Sequence, residues 1–330
     1  MADSNNPINN PIQRNRGVVL LSTLLVIVLL TGLVYQLMTK HALLISQTQE
    51  ALIYDQLLSF ALGAETLTRQ VLYQDHRSSN IPKDTLQDPW AKPLEPFFIG
   101  EGLLEIQIKD LNRCFNLNSL AGSAGKQHLK QLKNLLRSLN LPLDIGDAWY
   151  DWIDTDNIRH EQGAEDGDYL LNEKGYRTPN SLAAHVSELR LIKGISAASY
   201  ELLKQHVCVY PSRSLSVNVN TASSLVLSSL DEQSNASLLA ELTASPRDFD
   251  NINAFINQAK ELQPARSNLR VSSEFFEMHA RISIGSDYIE LLSVLRKDLG
   301  TGNIEIVSRD LGKSLRSLFV KRAQSIDEFF

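Results

Sequence analysis

The chain has 330 residues, 43% of them hydrophobic and 21% charged, which is enough to build one or two compact domains and excludes a disordered or collagen-like protein. A formal net charge of −6 leaves little global attraction for phosphate, so nucleic acid is not an expected partner. The two cysteines, Cys114 and Cys208, are too few for a disulfide scaffold or a four-thiolate zinc site, yet suffice for one bridge in an oxidising compartment.

Residues 1–16 form a polar, Asn-rich leader that ends in Arg14 and Arg16. From Gly17 to Thr39 no charged residue occurs, and at about 1.5 Å of rise per residue such a run matches a hydrocarbon core about 30 Å thick. No small-residue signal-peptidase site follows before Lys40, so the span is expected to be retained. The basic pair ahead of it keeps the leader cytoplasmic and sends the rest of the chain across. A basic pair, then Gly17, then an uninterrupted apolar helix resembles the leader of type IV prepilins and pseudopilins. That resemblance implies cleavage by the prepilin peptidase between Gly17 and Val18, with the apolar helix left as an anchor; the residue-level alternative is an ordinary signal anchor.

Beyond Lys40, Leu44, Ile45, Leu52, Tyr54, Leu57, Leu58, Ala61, Ala64, Leu67, Val71 and Leu72 keep close to a three-and-four spacing, which predicts one helix over residues 18–73. Residues 18–39 suit a bilayer, whereas the second half needs a surface to pack on. Most pilins and pseudopilins carry Glu at the fifth mature position; counted from Val18 that residue is Ser22. A buried carboxylate without a partner is costly in an apolar bundle, so its loss fits a subunit with no neighbour above it.

Residues 81–96, with Pro82, Pro89, Pro93 and Pro96, read as a loop. Alternation predicts strands at 103–109 and 115–118, then at 276–284 and 288–296 joined by Gly285 and Ser286, and at 303–308. Between these groups lie candidate helices at 126–139, 145–153, 187–193 and 197–207, with a further helical stretch over 222–260. The expected organisation is a removed leader (1–17), a transmembrane segment (18–39), a first part of the core (40–121), an inserted helical subdomain (122–212) and a second part of the core (213–330). The fold class is α+β, and residues 312–330 are polar and basic before the last few positions.

Four segments then follow in order: Cys114-Phe115-Asn116-Leu117-Asn118; Asp151-Trp152-Ile153-Asp154 with Gly163-Ala164-Glu165-Asp166; Ser187-Glu188-Leu189-Arg190; and Val217-Asn218-Val219-Asn220-Thr221-Ala222. Behind a prepilin-like leader lacking the fifth-position Glu, this ordered set resembles the minor pseudopilin K family of the type II secretion system. The resemblance implies a pilin-like fold, in which a long N-terminal transmembrane helix packs on an antiparallel sheet, with a large helical insertion. It also implies a place at the tip of the pseudopilus with minor pseudopilins I and J, and pseudopilin H and the major pseudopilin as further partners. The setting it implies is the Gram-negative inner membrane, with one pass and the C-terminal domain in the periplasm.

Residues 144–168 carry nine carboxylates, with Arg159 as the one cation among them, so the segment must be solvated or neutralised. Its spacing is not that of an EF-hand. The family resemblance includes calcium here, which takes six to eight oxygen ligands, and the expected ligands are Asp154, Asp156, Glu165, Asp166 and Asp168. Cys114 and Cys208 flank the insertion and are expected to pair in an exported domain, the alternative being two buried thiols. No nucleophile elbow, P-loop or His-Glu-x-x-His occurs, so no enzyme is expected. A competing class is an anchored DNA receptor or minor type IV pilin: Asn218-Val219-Asn220-Thr221-Ala222 and Leu191-Ile192-Lys193-Gly194-Ile195 resemble parts of a helix-hairpin-helix motif. The first lacks the glycine turn that presents amides to phosphate.

Overall fold

The structure, a computed structural model, describes residues 12–78, 81–92 and 94–312, with side chains from Val18 onward. Most of the expected leader, Pro93 and the tail from residue 313 lie outside the described residues. The first helix, α1, runs Ile12–Ser78, longer at both ends than the expected 18–73, and Gly17 and Val18 fall within it. The chain divides into two units, one ending at Gln56 and one beginning at Leu57.

In the first unit α1 carries a stretch long and apolar enough to cross a membrane. Its few polar side chains satisfy themselves: the Ser22 and Thr23 hydroxyls donate to Val19 O and Leu20 O, each at 2.9 Å. The fifth position after Gly17 therefore needs no partner from outside the helix.

In the second unit, Leu57, Ala61, Ala64, Glu65, Thr68 and Leu72 line one buried face of α1. That face lies against a five-stranded antiparallel sheet. Its strands in chain order are β1 Phe97–Ile99, β2 Gly102–Asp110, β7 Phe275–Ile284, β8 Asp287–Lys297 and β9 Ile304–Asp310, and they are neighbours in that order. β7 and β8 are joined by a two-residue turn at Gly285 and Ser286, where Gly285 has φ 57°. The expected strands at 103–109, 276–284, 288–296 and 303–308 are all in this sheet, with β1 added at its edge.

Helix and sheet are clamped by a buried carboxylate. Glu65 accepts from the Ser293 hydroxyl at 2.7 Å and from Arg309, with Nη2 to Oε2 at 2.7 Å and Nε to both oxygens at 3.0 and 3.1 Å. Nearby, Arg69 Nε donates to Ile304 O at 3.1 Å. Trp90, from the proline-rich loop, packs edge-on against Phe276 with ring centroids 5.1 Å apart.

Between β2 and β7 the chain builds a second, mainly helical body. Its elements are β3 Phe115–Asn116, α2 Gly125–Ser138, α3 Asp144–Ile153, α4 Asp166–Tyr169, α5 Ala197–Leu203, β4 Val207–Cys208, β5 Val217–Asn218, α6 Ser224–Ser229, α7 Ala236–Thr243, α8 Ile252–Gln258 and β6 Leu269–Arg270. One apolar core runs through it from Phe115 to Leu269, with Trp149, Leu132, Leu135, Val226, Leu227 and Phe255 at its centre. α6–α8 thus share a core with α2 and α3, and residue 212, the expected end of the insertion, falls inside it.

Several elements differ from expectation for local reasons. The strand expected at 115–118 stops at Asn116, whose side chain accepts from Asn118 N at 3.2 Å and turns the chain into a 3-10 helix, Leu117–Ala121. That strand does not join the main sheet; β3 pairs in parallel with β4. The helix expected over 197–207 ends at Leu203 because Val207 and Cys208 are drawn into that ladder, with Phe115 N donating to His206 O at 2.9 Å. The segment 187–193 forms a 3-10 helix, Val186–Leu191. The stretch 222–260 breaks into three helices because Ser223, Asn235 and Asn251 each cap a new N-terminus with a side-chain oxygen. Cys114 and Cys208 are joined by a disulfide, their Cα atoms 5.5 Å apart and 94 positions apart in sequence. Closing a loop of that length stabilises a fold by about 4 kcal/mol through the unfolded chain.

The helical body is tied to the sheet by buried asparagines. Asn112 Oδ1 accepts from Glu274 N and Phe275 N, each at 2.9 Å, while its amide donates to Ser216 O at 2.9 Å. Asn218 donates to Asp84 O at 3.0 Å and to the Ser273 hydroxyl at 2.8 Å. Asp84 is fully buried beside the Lys297 ammonium, and its Oδ2 accepts from Ser273 N at 2.7 Å. Asn116, Asn118 and Asn220 bracket backbone in the same way: Asn118, for example, pairs with both N and O of Ala183 at 2.9 and 3.0 Å.

Arg309→Met should strand the Glu65 carboxylate in the helix–sheet interface and lower stability by about 3 kcal/mol. The double variant Glu65→Gln/Arg309→Met should recover most of that loss. Denaturant titration of the full chain in detergent measures both; equal losses in the single and double variants would mean that the stranded carboxylate carries no cost of its own.

Candidate metal centre

The acidic residues 144–168 begin on α3 and run through the loop that follows it into α4. α3 sits where it does because Trp149 is buried and donates its indole N–H to Leu117 O at 3.1 Å, and Trp152 donates to Glu188 Oε2 at 3.0 Å. Glu188 in turn accepts from Ala184 N at 2.7 Å, so Ser187-Glu188-Leu189-Arg190 serves as a brace under the acidic loop. Asp151, fully buried at the end of α3, folds the loop back by accepting from His160 N at 3.1 Å. Gly163 packs so closely on Asp151 that a Cβ there would overlap its carboxylate.

This arrangement brings Asp154, Asp156 and Glu165 together, with one oxygen of each lying within 4.8 Å of the others. Glu165 is buried, and neither of its carboxylate oxygens has a hydrogen-bond partner; Asp154 Oδ1 is likewise buried and unpartnered. Asp156 Oδ1 accepts from Ile158 N at 2.7 Å. Burial, reinforced by Asp151, Asp154, Asp156 and Asp166, pushes Glu165 up to about 7. Burial and the charge of Asp156 push Asp154 up to about 6, and burial does the same for Asp151. Both oxygens of Glu165 and Oδ1 of Asp154, buried and unpartnered beside the exposed Asp156 carboxylate, form a donor set of hard oxygen atoms, the chemistry that holds a divalent cation such as calcium. The residues present therefore fit such an ion.

Asp166 and Asp168 are not brought into this cluster. Asp166 Oδ1 accepts from Thr178 N at 2.9 Å and the Thr178 hydroxyl at 2.8 Å, with Arg177 at 3.8 Å from Oδ2. Asp168 Oδ2 accepts from Glu165 N at 3.2 Å, and Arg159 and Lys193 lie 3.8 and 3.6 Å from Oδ1. The Glu165 N–H donation holds Asp168 below the usual carboxylate range. These two carboxylates shape the loop around the cluster. Arg159 is not the acidic segment's one cation in space, since Lys133, Arg177 and Lys193 reach it from other elements.

Asn180 was not among the expected ligands. Its amide nitrogen is fixed by Asp156 O at 3.1 Å and Asn157 Oδ1 at 2.9 Å, which leaves a buried Oδ1 without a partner beside Asp156. Asn180 also has φ 45°, a left-handed conformation that Asn tolerates better than most residues. An isolated Asn after a proline gives no sequence signal of this kind.

The helix-hairpin-helix resemblance loses its chemistry here. Asn218, Asn220 and Thr221 are buried in the polar network under the sheet, and cannot meet a phosphate backbone.

A family model described as type II secretion system (T2SS), protein K, matches residues 113–212. The chain is similar to the type II secretion system protein K of Pseudomonas aeruginosa, 33% identical over 90% of this chain and 93% of that one. It is also similar to the protein of that name from Pectobacterium carotovorum subsp. carotovorum, 30% identical over 91% of this chain and 97% of that one. Its fold is like a chain in the crystal structure of the GspK-GspI-GspJ complex from the enterotoxigenic Escherichia coli type 2 secretion system. The TM-score is 0.72 at 23% identity, covering 81% of this chain and all of that one.

Two outcomes follow from the cluster itself. Gly163→Ala should force Asp151 and the loop apart and lower the melting temperature by several degrees, read by calorimetry. With divalent cations chelated, stability should fall between pH 5 and pH 8. Asp151, Asp154 and Glu165 have folded-state values raised above their unfolded ones, so they stabilise the fold at low pH and lose that contribution as pH rises through about 6 to 7.

Proposed function

The chain belongs to the type II secretion system protein K family and is a minor pseudopilin of that machinery; on this premise we propose that it sits at the tip of the pseudopilus with minor pseudopilins I and J. There it helps start the fibre and caps it, and the fibre drives folded exoproteins through the outer-membrane secretin. The role is one of assembly, not catalysis. The observation that carries the tip assignment is the helical body between β2 and β7, with an apolar core of its own running from Phe115 to Leu269. A body of that size on every subunit would crowd repeated packing along a fibre, and at the end it meets no subunit above. Ser22 supports the same position, because its hydroxyl is satisfied within α1. The solved complex of like fold contains three components, GspK, GspI and GspJ, which supports I and J as partners. Pseudopilin H and the major pseudopilin are the further neighbours proposed below the tip.

The apolar stretch of α1 anchors the protein in a membrane. We assign that membrane to the Gram-negative inner membrane, crossed once, with residues from Lys40 onward in the periplasm; the basic pair Arg14 and Arg16 supports this orientation. Prepilin peptidase then cuts between Gly17 and Val18. In the periplasm the acidic loop takes a structural calcium ion through Asp154, Asp156 and Glu165. The ion neutralises the loop and locks it to α3, and the unpartnered oxygens of Glu165 and Asp154 support this reading.

Co-expressed with minor pseudopilins I and J and extracted in detergent, the full chain should purify as a 1:1:1 assembly by mass measurement; three folded proteins that do not associate would overturn the tip assignment. Calorimetric titration of the full chain should show calcium binding that strengthens from pH 5.5 to 7.5, as Asp154 and Glu165 give up their protons. Glu165→Gln should weaken it at least tenfold. Binding that is absent or unchanged in Glu165→Gln would remove calcium from this loop.

A further inference from the structure

The seam between the sheet and the helical body holds two buried carboxylates and one buried ammonium. Asp84 in the proline-rich loop, Asp110 at the end of β2 and Lys297 at the end of β8 are each at most 2% exposed. Asp84 and Lys297 are matched: Oδ1 of Asp84 meets the ammonium, and Oδ2 accepts from Ser273 N at 2.7 Å. Asp110 has no such match. Its Oδ1 accepts from Asn112 N at 2.7 Å, and its Oδ2 accepts from the Thr221 hydroxyl at 2.5 Å and the Asn218 amide at 3.4 Å. The Ser273 hydroxyl is its remaining donor, and among the described residues no cation pairs with it.

The charged groups around the seam do not supply the missing cation. Asp84 adds a like charge, and Asp75 in the last turn of α1 and Asp88 in the loop are further carboxylates beside Asp84. From the helical body, Tyr210 faces Asp110; burial, and then the Asp110 charge, holds its phenol far above the usual range, so it stays neutral. Glu274 is paired with Arg296 at 2.7 Å. Arg270, on β6 beside Asn218, directs its Nη1 to Ser267 O and Leu269 O at 2.9 and 2.7 Å. Burial therefore prevails over the hydrogen bonds from Thr221, Ser273 and Asn112, and with the Asp84 charge it pushes Asp110 up to about 6.

A buried carboxylate without a counter-charge is tolerated far better with its proton than without it. The Thr221 and Ser273 hydroxyls can each turn from donor to acceptor, so a protonated Asp110 keeps its hydrogen bonds. We propose that Asp110 is a proton-operated latch between the sheet and the helical body, closed while the carboxyl keeps its proton and loosened when that proton passes to solvent. The groups it touches are those that hold the body in place. Asn218 also donates to Asp84 O at 3.0 Å, Asn218 N donates to Asn112 O at 2.9 Å, and Asn112 Oδ1 accepts from Phe275 N at 2.9 Å. An ionised Asp110 gains water only where these contacts open. The latch thus gives Asn218 and Thr221 a role beyond packing, and it rests on neither the calcium reading nor the tip assignment.

The test is amide hydrogen exchange on the full chain in detergent at pH 5 and pH 7.5, corrected for the intrinsic pH dependence of exchange and followed over residues 110–116, 216–222 and 272–276. The variants are Asp110→Asn, which keeps the shape of the carboxyl without its titration, and Thr221→Val, which removes a hydrogen bond favouring the ionised form. Asp110 has a folded-state value raised above its unfolded one, so its contribution is present in acid and lost as pH rises through about 6. Opening of the seam should therefore increase from pH 5 to pH 7.5 about tenfold more in the unaltered chain than in Asp110→Asn. Contributions from the acidic loop are common to both chains and cancel in that comparison. In Thr221→Val the step should move to higher pH. Equal pH dependence in the unaltered chain and Asp110→Asn, or a seam that tightens at pH 7.5, would overturn the proposal. Should Asp110→Asn not fold, Thr221→Val decides alone, and a step that stays in place or moves to lower pH counts against the latch.

Discussion

A side-chain amide has the same donor and acceptor as a peptide group, and this protein uses that equivalence where regular structure ends. Asn112, Asn116, Asn118, Asn218 and Asn220 are all buried, and each offers its amide to main-chain groups that no helix or ladder reaches. Buried backbone groups left unpaired cost about 1–3 kcal/mol each. The chain between the sheet and the helical body includes only two-residue ladders, β3 with β4 and β5 with β6, so without the asparagines much of that seam would be unsatisfied. The position of the acidic loop depends on this seam, because Asn118 holds Ala183 and Trp149 hangs from Leu117 in the same stretch.

The same point explains which parts of the structure could be read from the sequence. The strands at 103–109, 276–284 and 288–296 and the helices at 126–139 and 145–153 follow from periodicity because their side chains alternate or recur against a single core. α1 follows from its uninterrupted apolar run. The ends of elements did not follow, since they are decided by pairings distant in sequence: Asn116 turning the chain after β3, or the ladder and disulfide that end the helix before Val207. The motifs Cys114-Phe115-Asn116-Leu117-Asn118 and Val217-Asn218-Val219-Asn220-Thr221-Ala222 carried the family resemblance, while their physical role as backbone brackets became visible only once partners up to 134 positions away were in place.

In the acidic segment, composition located the charge but not its distribution. Asp154, Asp156 and Glu165 converge, whereas Asp166 and Asp168, carboxylates close by in sequence, turn to Thr178 and to basic side chains because α4 begins at Asp166 and rotates them away. Lys133 lies outside the segment, one helix earlier, and nothing in local charge patterning links it to Asp147. Asn180 lies beyond it and contributes through its backbone conformation as much as through its amide.

The disulfide also determines how the molecule transmits tension. Cys114 lies just before the helical body and Cys208 near its middle, so a covalent path leads from α1 through β2 to Cys114, across the sulfurs, and on through α6–α8 to β7–β9. Residues 115–207, which include the acidic loop, hang from that path as a closed side loop and are not links in it. A pull between the membrane helix and the last strands therefore stretches the short route across the bridge, and the loop that holds Asp154, Asp156 and Glu165 stays out of the line of force.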